Sequence, residues 1–179
     1  MILTLGVCLC AIATAAATNH ELPEGMTPID IKPMVQVTTT LVVIQRKHST
    51  DTKYRCHSAK QESSLGGNIY NYLLKARLND KYSSSQVTVK VEEITGQPGI
   101  HKATYTDLQG SSTELTLLKM DSDSRCFVLY AVKSNGQRGC ELLTTTSSKD
   151  SVPPVCQTYF NDECTGKQIQ LYQSDCRYD

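Results

Sequence analysis

The 179-residue chain has no Trp, only two Phe, no excess of either charge (18 Lys+Arg against 18 Asp+Glu) and no Asn-x-Ser/Thr sequon. Balanced charge without a Lys/Arg cluster withholds the electrostatic footprint that a phosphate backbone requires, so nucleic acid is not an expected partner. Ten Gly and six Pro beside 39% hydrophobic residues exclude a collagenous or disordered chain. The missing sequon removes the N-glycosylation acceptor. There is no Cys-x2-Cys pair, and His20, His48, His57 and His101 are scattered, so neither a zinc site nor any cofactor is expected. Nor is there a Gly-x-Ser-x-Gly elbow, and Cys56 and His57 are neighbours that alternate to opposite faces of a strand. Nucleophilic catalysis therefore has no support, and an enzyme is not expected.

Residues Ile2 to Ala17 are uncharged, mostly apolar and end in Thr14-Ala15-Ala16-Ala17, small residues of the kind signal peptidase accepts. This run is shorter than the roughly 20 apolar residues that span a bilayer. A cleaved secretion signal over residues 1–17 is expected, leaving residues 18–179 as one extracellular, monomeric domain with no membrane span. Cys8 and Cys10 leave with the signal, and Cys56, Cys126, Cys140, Cys156, Cys164 and Cys176 remain. In an oxidising compartment an even number implies three disulfides, and spacing alone does not choose among the 15 possible pairings.

Beyond a Pro-interrupted lead at 22–33, β-rich runs alternate with turn residues. Eight strands are expected, near 35–45, 54–60, 69–78, 86–94, 102–108, 114–120, 125–133 and 140–146. The third alternates most clearly, with Tyr70, Tyr72, Leu74, Ala76 and Leu78 against Asn71, Lys75 and Arg77. Asn135-Gly136 suggests a type I′ hairpin turn. After Pro153-Pro154, the four-residue spacing of Cys156, Phe160 and Cys164 predicts a short helix with Gly166 as its C-cap, followed by an extended segment at 169–173. Eight antiparallel strands can close into a barrel wide enough for one small ligand, or pack as a sandwich. Pattern alone does not separate the two.

Cys126-Phe127-Val128, twelve residues, Glu141-Leu142-Leu143, twelve more, Cys156, then Phe160, Cys164-Thr165-Gly166 and Cys176 resemble the signature of tick salivary lipocalins. In amine-binding members that signature runs Cys-Asp-(Val/Ile/Leu), Glu-Leu-(Trp/Tyr), Cys. The family's Asp-Ala-Trp helix has only a faint echo in Asp30-Ile31-Lys32, and the general lipocalin Gly-x-Trp is absent. The resemblance implies an all-β fold, an eight-stranded antiparallel lipocalin (calycin) barrel with a C-terminal α-helix and three disulfides. It also implies the pairings Cys56–Cys176 and Cys126–Cys156, with Cys140–Cys164 as the third. Such proteins sequester a small host mediator or lipid (histamine, serotonin, a leukotriene, a fatty acid, a sterol) and so modulate inflammation and immunity at a feeding site.

With Cys126 and Cys140 reaching a helix outside the barrel, alternation turns Phe127, Leu129, Glu141 and Leu143 inward. Cys56 outward likewise puts Arg55 and His57 inward, at a rim. A buried ammonium must meet a carboxylate. The signature Asp is Phe127 here, Glu141 is retained, and Asp107 and Glu93 stand at strand ends, where rim acids are ordinarily solvated. The other inward candidates are Tyr70, Tyr72, Leu74, Val89, Val91, Tyr105, Leu115, Leu117, Leu129 and Leu143, an apolar set with phenolic tips. That lining favours a small amphipathic lipid over a biogenic amine. Polar loops at 47–53, 79–85 and 95–101 leave room for a third reading, a surface that binds a host immune or complement protein.

Overall fold

The computed structural model describes residues 22–107 and 110–178; the expected signal segment lies outside them. A single helical turn, α1 (Lys32–Val35), precedes strands β1 (Leu41–Arg46), β2 (Tyr54–Gly66), β3 (Ile69–Leu78), β4 (Lys81–Glu93), β5 (His101–Thr106), β6 (Ser112–Met120), β7 (Cys126–Lys133) and β8 (Arg138–Thr145). Helix α2 (Pro154–Asp162) and the two-residue strand β9 (Ile169–Gln170) follow. Each strand from β2 to β8 pairs antiparallel with the next. β1 closes the ring, pairing with β8 along its length and with β2 at Leu41↔Ala59 and Val42↔Ser58. The fold is the closed eight-stranded lipocalin barrel, not a sandwich.

Alternation divides the apolar residues between two cores. Leu41, Val43, Tyr70, Tyr72, Val89, Leu117, Phe127, Leu129 and Leu143 face the barrel interior. Val42, Ile44, Val128, Tyr130 and Leu142 face outward, where α2 covers them with Cys156 and Phe160. β7 is therefore buried on both faces almost end to end. α2 starts on Pro154, whose fixed φ suits the first helical turn, and its i, i+4 pair Cys156 and Phe160 forms the buried stripe. Disulfides Cys126–Cys156 and Cys140–Cys164 fasten this helix and the residues after it to β7 and β8.

The third disulfide, Cys56–Cys176, has a different task. β1 and β2 share only two register pairs, a weak seam in the wall. The chain after α2 lies along it: Leu171 N–H donates to Ile44 O, and Cys56 N–H donates to Leu171 O, both spans near 2.9 Å. The disulfide then anchors that segment to β2. Opposite, β4 pairs with β5 only from Lys90 to Glu93, so among the described residues Lys81–Val89 pairs with β3 alone.

Several local expectations need correction. The segment from Val35 does not begin a strand; Pro33 starts α1 instead, and β1 begins at Leu41. Residues 79–85 are not a long loop but a two-residue turn, Asn79-Asp80, between Leu78 and Lys81. In the β7–β8 hairpin only Gly136 has positive φ (84°), so the turn there is not type I′. The paired positive φ angles of that type occur at Gly67 and Asn68, 58° and 63°, between β2 and β3. α2 is capped by Glu163, and Gly166 lies beyond its end.

Candidate ligand-binding site

One end of the barrel is packed solid. Phe127, Leu117, Tyr70 and Val91 fill it, and α1 lies across the interior above them, held by the Tyr72 hydroxyl donating to Val35 O at 2.9 Å. His101 Nδ1 and Asp30 Oδ1, 2.9 Å apart, pin the approach to α1 against β5. Above this floor a cavity of about 520 Å³ remains. Ile31, Met34, Val35, Leu41, Val43, Val87, Val89, Leu115, Leu129 and Leu143 form its walls, with Tyr72, Leu74 and Ala76 on the β3 side. At the open end, where β1, β5 and β7 finish and β2 and β8 start, the lining becomes Arg46, Tyr54, His57, Tyr105, Asp107, Lys133 and Glu141. The result is an apolar well with a charged mouth.

Of the residues singled out in the sequence, His57, Tyr72, Leu74, Val89, Tyr105, Asp107, Leu115, Leu129, Glu141 and Leu143 lie together around this cavity. Tyr70, Val91, Leu117 and Phe127 point inward but belong to the packed floor. Glu93 is exposed outside, accepting a hydrogen bond from Gly99 N–H. Arg55 does not join the lining. Cys56 has φ +55° and the register slips between Arg55 and Ser58, so a bulge lets Tyr54 and His57 both face the cavity while Arg55 faces out opposite Arg77.

Arg46 was invisible to alternation for the same reason. Even-numbered Val42 and Ile44 face α2, and a regular β1 would send Arg46 with them. A register shift between Val43 and Gln45 inserts one residue, and Arg46 lands inside, opposite Glu141. The α1 residues were missed because the segment reads as extended from Val35 onward. Lys133, at the end of β7, keeps the inward parity of Phe127 and Leu129 and was passed over.

Electrostatics at the mouth is dominated by Glu141. Its Oε1 accepts a hydrogen bond from His48 Nε2 at 2.8 Å, with the His48 side chain 1% exposed. Burial pushes the Glu141 carboxyl up, but the His48 hydrogen bond and the charges of His48, Arg46 and Lys133 outweigh it and hold the group down at about 2. His48 reaches Glu141 because Gly139 has no side chain. A Cβ on Gly139 would sit 2.6 Å from Lys47 O and 3.3 Å from the His48 Cβ. Asp107 is also engaged, accepting Ser111 N–H at 2.8 Å. Burial pushes the Tyr105 phenol up to about 12, with the Glu141 charge adding to it, so the phenol stays protonated. His57 is pushed down to about 4 by burial and by the Arg46 charge, and it is neutral at physiological pH.

The closed antiparallel barrel has counterparts among known proteins. Residues 29–178 match the family described as tick histamine binding protein. The chain belongs to that family. No curated protein matches its sequence. Among solved structures, this lipocalin resembles Japanin from Rhipicephalus appendiculatus bound to cholesterol, with a TM-score of 0.57 and 12% identity over 78% of this chain and 96% of that one. It also resembles the siderocalin Ex-FABP, described as functioning through dual ligand specificities, with a TM-score of 0.54 and 15% identity over 79% of this chain and 98% of the other. At such identities these likenesses speak for the fold. Both the family and the fold are of binding type.

Proposed function

We propose that this lipocalin is a secreted carrier that takes a small amphipathic lipid into its barrel, removes it from solution and so blunts a host response at a feeding site. The observation that carries the reading is the division of the cavity: about 520 Å³ with largely aliphatic walls below, Arg46, Asp107, Lys133 and Glu141 gathered at the mouth, and Lys75 on β3 as the remaining charged lining residue. An apolar body seated in the well releases water from both surfaces, at roughly 25 cal/mol per Å² buried, while the mouth orients its polar end. A biogenic amine finds less here. The signature carboxylate is Phe127, buried in the floor, and Glu141 already serves His48 and stands beside Arg46 and Lys133. A ligand ammonium would join the cations Arg46 and Lys133 around one carboxylate already engaged by His48.

The test is direct titration of delipidated protein with oleyl alcohol, oleic acid, cholesterol, histamine and serotonin, with mass spectrometry of an organic extract of freshly purified protein. Saturable one-to-one binding of a lipid at micromolar concentration supports the reading; failure of all three lipids overturns it. Ala76→Trp supplies the control. Ala76 lines the cavity near the mouth and is only half-buried, so the indole fills the opening without overpacking the floor. Lipid binding should fall at least about tenfold with the melting temperature unchanged. Any activity on host cells that survives in this variant would argue for the outer surface instead.

A further inference from the structure

Among the described residues, five buried side-chain polar atoms lack a hydrogen-bond partner: Arg46 Nε, His57 Nε2, Gln61 Oε1, Thr144 Oγ1 and Tyr178 Oη. Only Arg46 and His57 line the cavity, and they stand together at its mouth. A buried N–H without an acceptor costs roughly 1–3 kcal/mol, so these two side chains favour a ligand that brings hydrogen-bond acceptors to the mouth. Arg46 is 7% exposed and its guanidinium is fixed by Nη2 donating to Ser49 O at 2.8 Å, with Nε left without a partner. Lys133 adds a third nitrogen to the lining. The acids are in the opposite condition. Glu141 is taken by His48 and Asp107 accepts from the Ser111 backbone. The unpartnered polar atoms at this mouth are therefore nitrogens, one on the Arg46 cation and one on neutral His57.

We infer that the mouth is an oxyanion-head site and that the ligand is a single-chain lipid acid, its carboxylate received by Arg46 Nε and His57 Nε2 beside Lys133 and its chain running down the well toward α1. The reasoning rests on the carrier reading and narrows it: a sterol or a neutral alcohol would fill the apolar volume and leave the two donors unpaired. A carboxylate brings two acceptor oxygens and the charge that Arg46 lacks a full counterpart for. Neutral His57, in the tautomer that carries its proton on Nε2, donates to the head without needing to ionise inside the barrel.

Oleic acid, oleyl alcohol and oleylamine share one chain and differ only in the head, and their affinities at pH 7.4 separate the two readings. The acid should bind roughly 10- to 100-fold tighter than the alcohol, and the amine weakest of the three. Arg46→Met should bring the acid down to the level of the alcohol, the acid losing at least about tenfold more affinity than the alcohol. Arg46→Lys, which keeps a cation but removes Nε, should recover only part of the preference. Should R46M fail to fold, His57→Leu makes the same comparison from the other side of the head. Equal binding of acid and alcohol by the wild type, or equal losses of both in R46M, overturns the acid-head assignment and leaves the carrier intact. If none of the three binds, both fall together.

Discussion

Replacing Glu141 by Gln keeps the shape of the side chain and removes its charge. The carboxyl is held at about 2 in the folded chain, against about 4.3 for an unperturbed Glu, so its ionised form is favoured by folding. A depressed folded-state value contributes stability that is complete above the unfolded value and disappears as pH falls through the folded one. The contribution is therefore about 3 kcal/mol at pH 7, about 1 kcal/mol at pH 3 and under about 0.5 kcal/mol at pH 2. Because 16% of the side chain opens to the cavity, the pH 7 figure is an upper bound. Urea unfolding of wild type and E141Q at pH 7, 4 and 3 reads the difference directly: the two should converge as pH falls. A gap of constant size across that range would mean that Glu141 acts through packing alone, and no gap at pH 7 would mean that the His48 pair stabilises nothing. The same variant removes a negative charge beside Arg46, so lipid-acid binding should strengthen; weakened acid binding would contradict the electrostatics of the mouth.

Two further variants test the scaffold. Removing Cys56–Cys176 as a double Ala variant opens a loop of 120 residues, which in the chain-entropy model costs about 5 kcal/mol, and hydrogen exchange should rise first at Leu171 and Cys56, whose amides close the β1–β2 seam. Gly139→Ala places a methyl group against Lys47 O and the His48 Cβ. Displacement of that loop should cost about 1–3 kcal/mol by urea unfolding and should abolish the pH-dependent part of the Glu141 contribution, because His48 can no longer reach it.

Most of the barrel was legible because β-strand alternation is a direct image of a two-sided wall. Tyr70, Tyr72 and Leu74 on β3, and Val87, Val89 and Val91 on β4, alternate with polar residues because one face meets the interior and the other meets water. β7 could still be oriented although it is buried on both faces, because Cys126 is joined to Cys156 of α2 and parity does the rest. Alternation carries direction but no depth. Leu117, Phe127 and Leu129 have the same parity and the same hydrophobicity, yet the first two sit in the solid floor and the third lines the well. How high the packing rises is decided by α1, a single turn that Pro33 starts and that crosses the interior. No periodicity announces an element of four residues.

The polar mouth was harder to read, and the reason is physical rather than statistical. A regular strand whose lower half lines an apolar well must present its upper half on the same face, so any inward charge continues the series of inward aliphatics. Glu141 does so, two residues before Leu143, and it was found. So does His57, two residues before Ala59, and it too was placed inward at the rim. Arg46 does not: it follows a bulge at Ile44 that inserts one residue and reverses parity from that point on. Without that bulge, Arg46 would face the α2 side with Val42 and Ile44, and its guanidinium would be buried against the Phe160 cluster with no counter-charge. With it, the outward face stays apolar under the helix and the cation goes to the barrel opening opposite Glu141. The irregularity therefore satisfies both faces of β1 at once, and the two nitrogens it helps bring together are the ones left waiting for an acceptor.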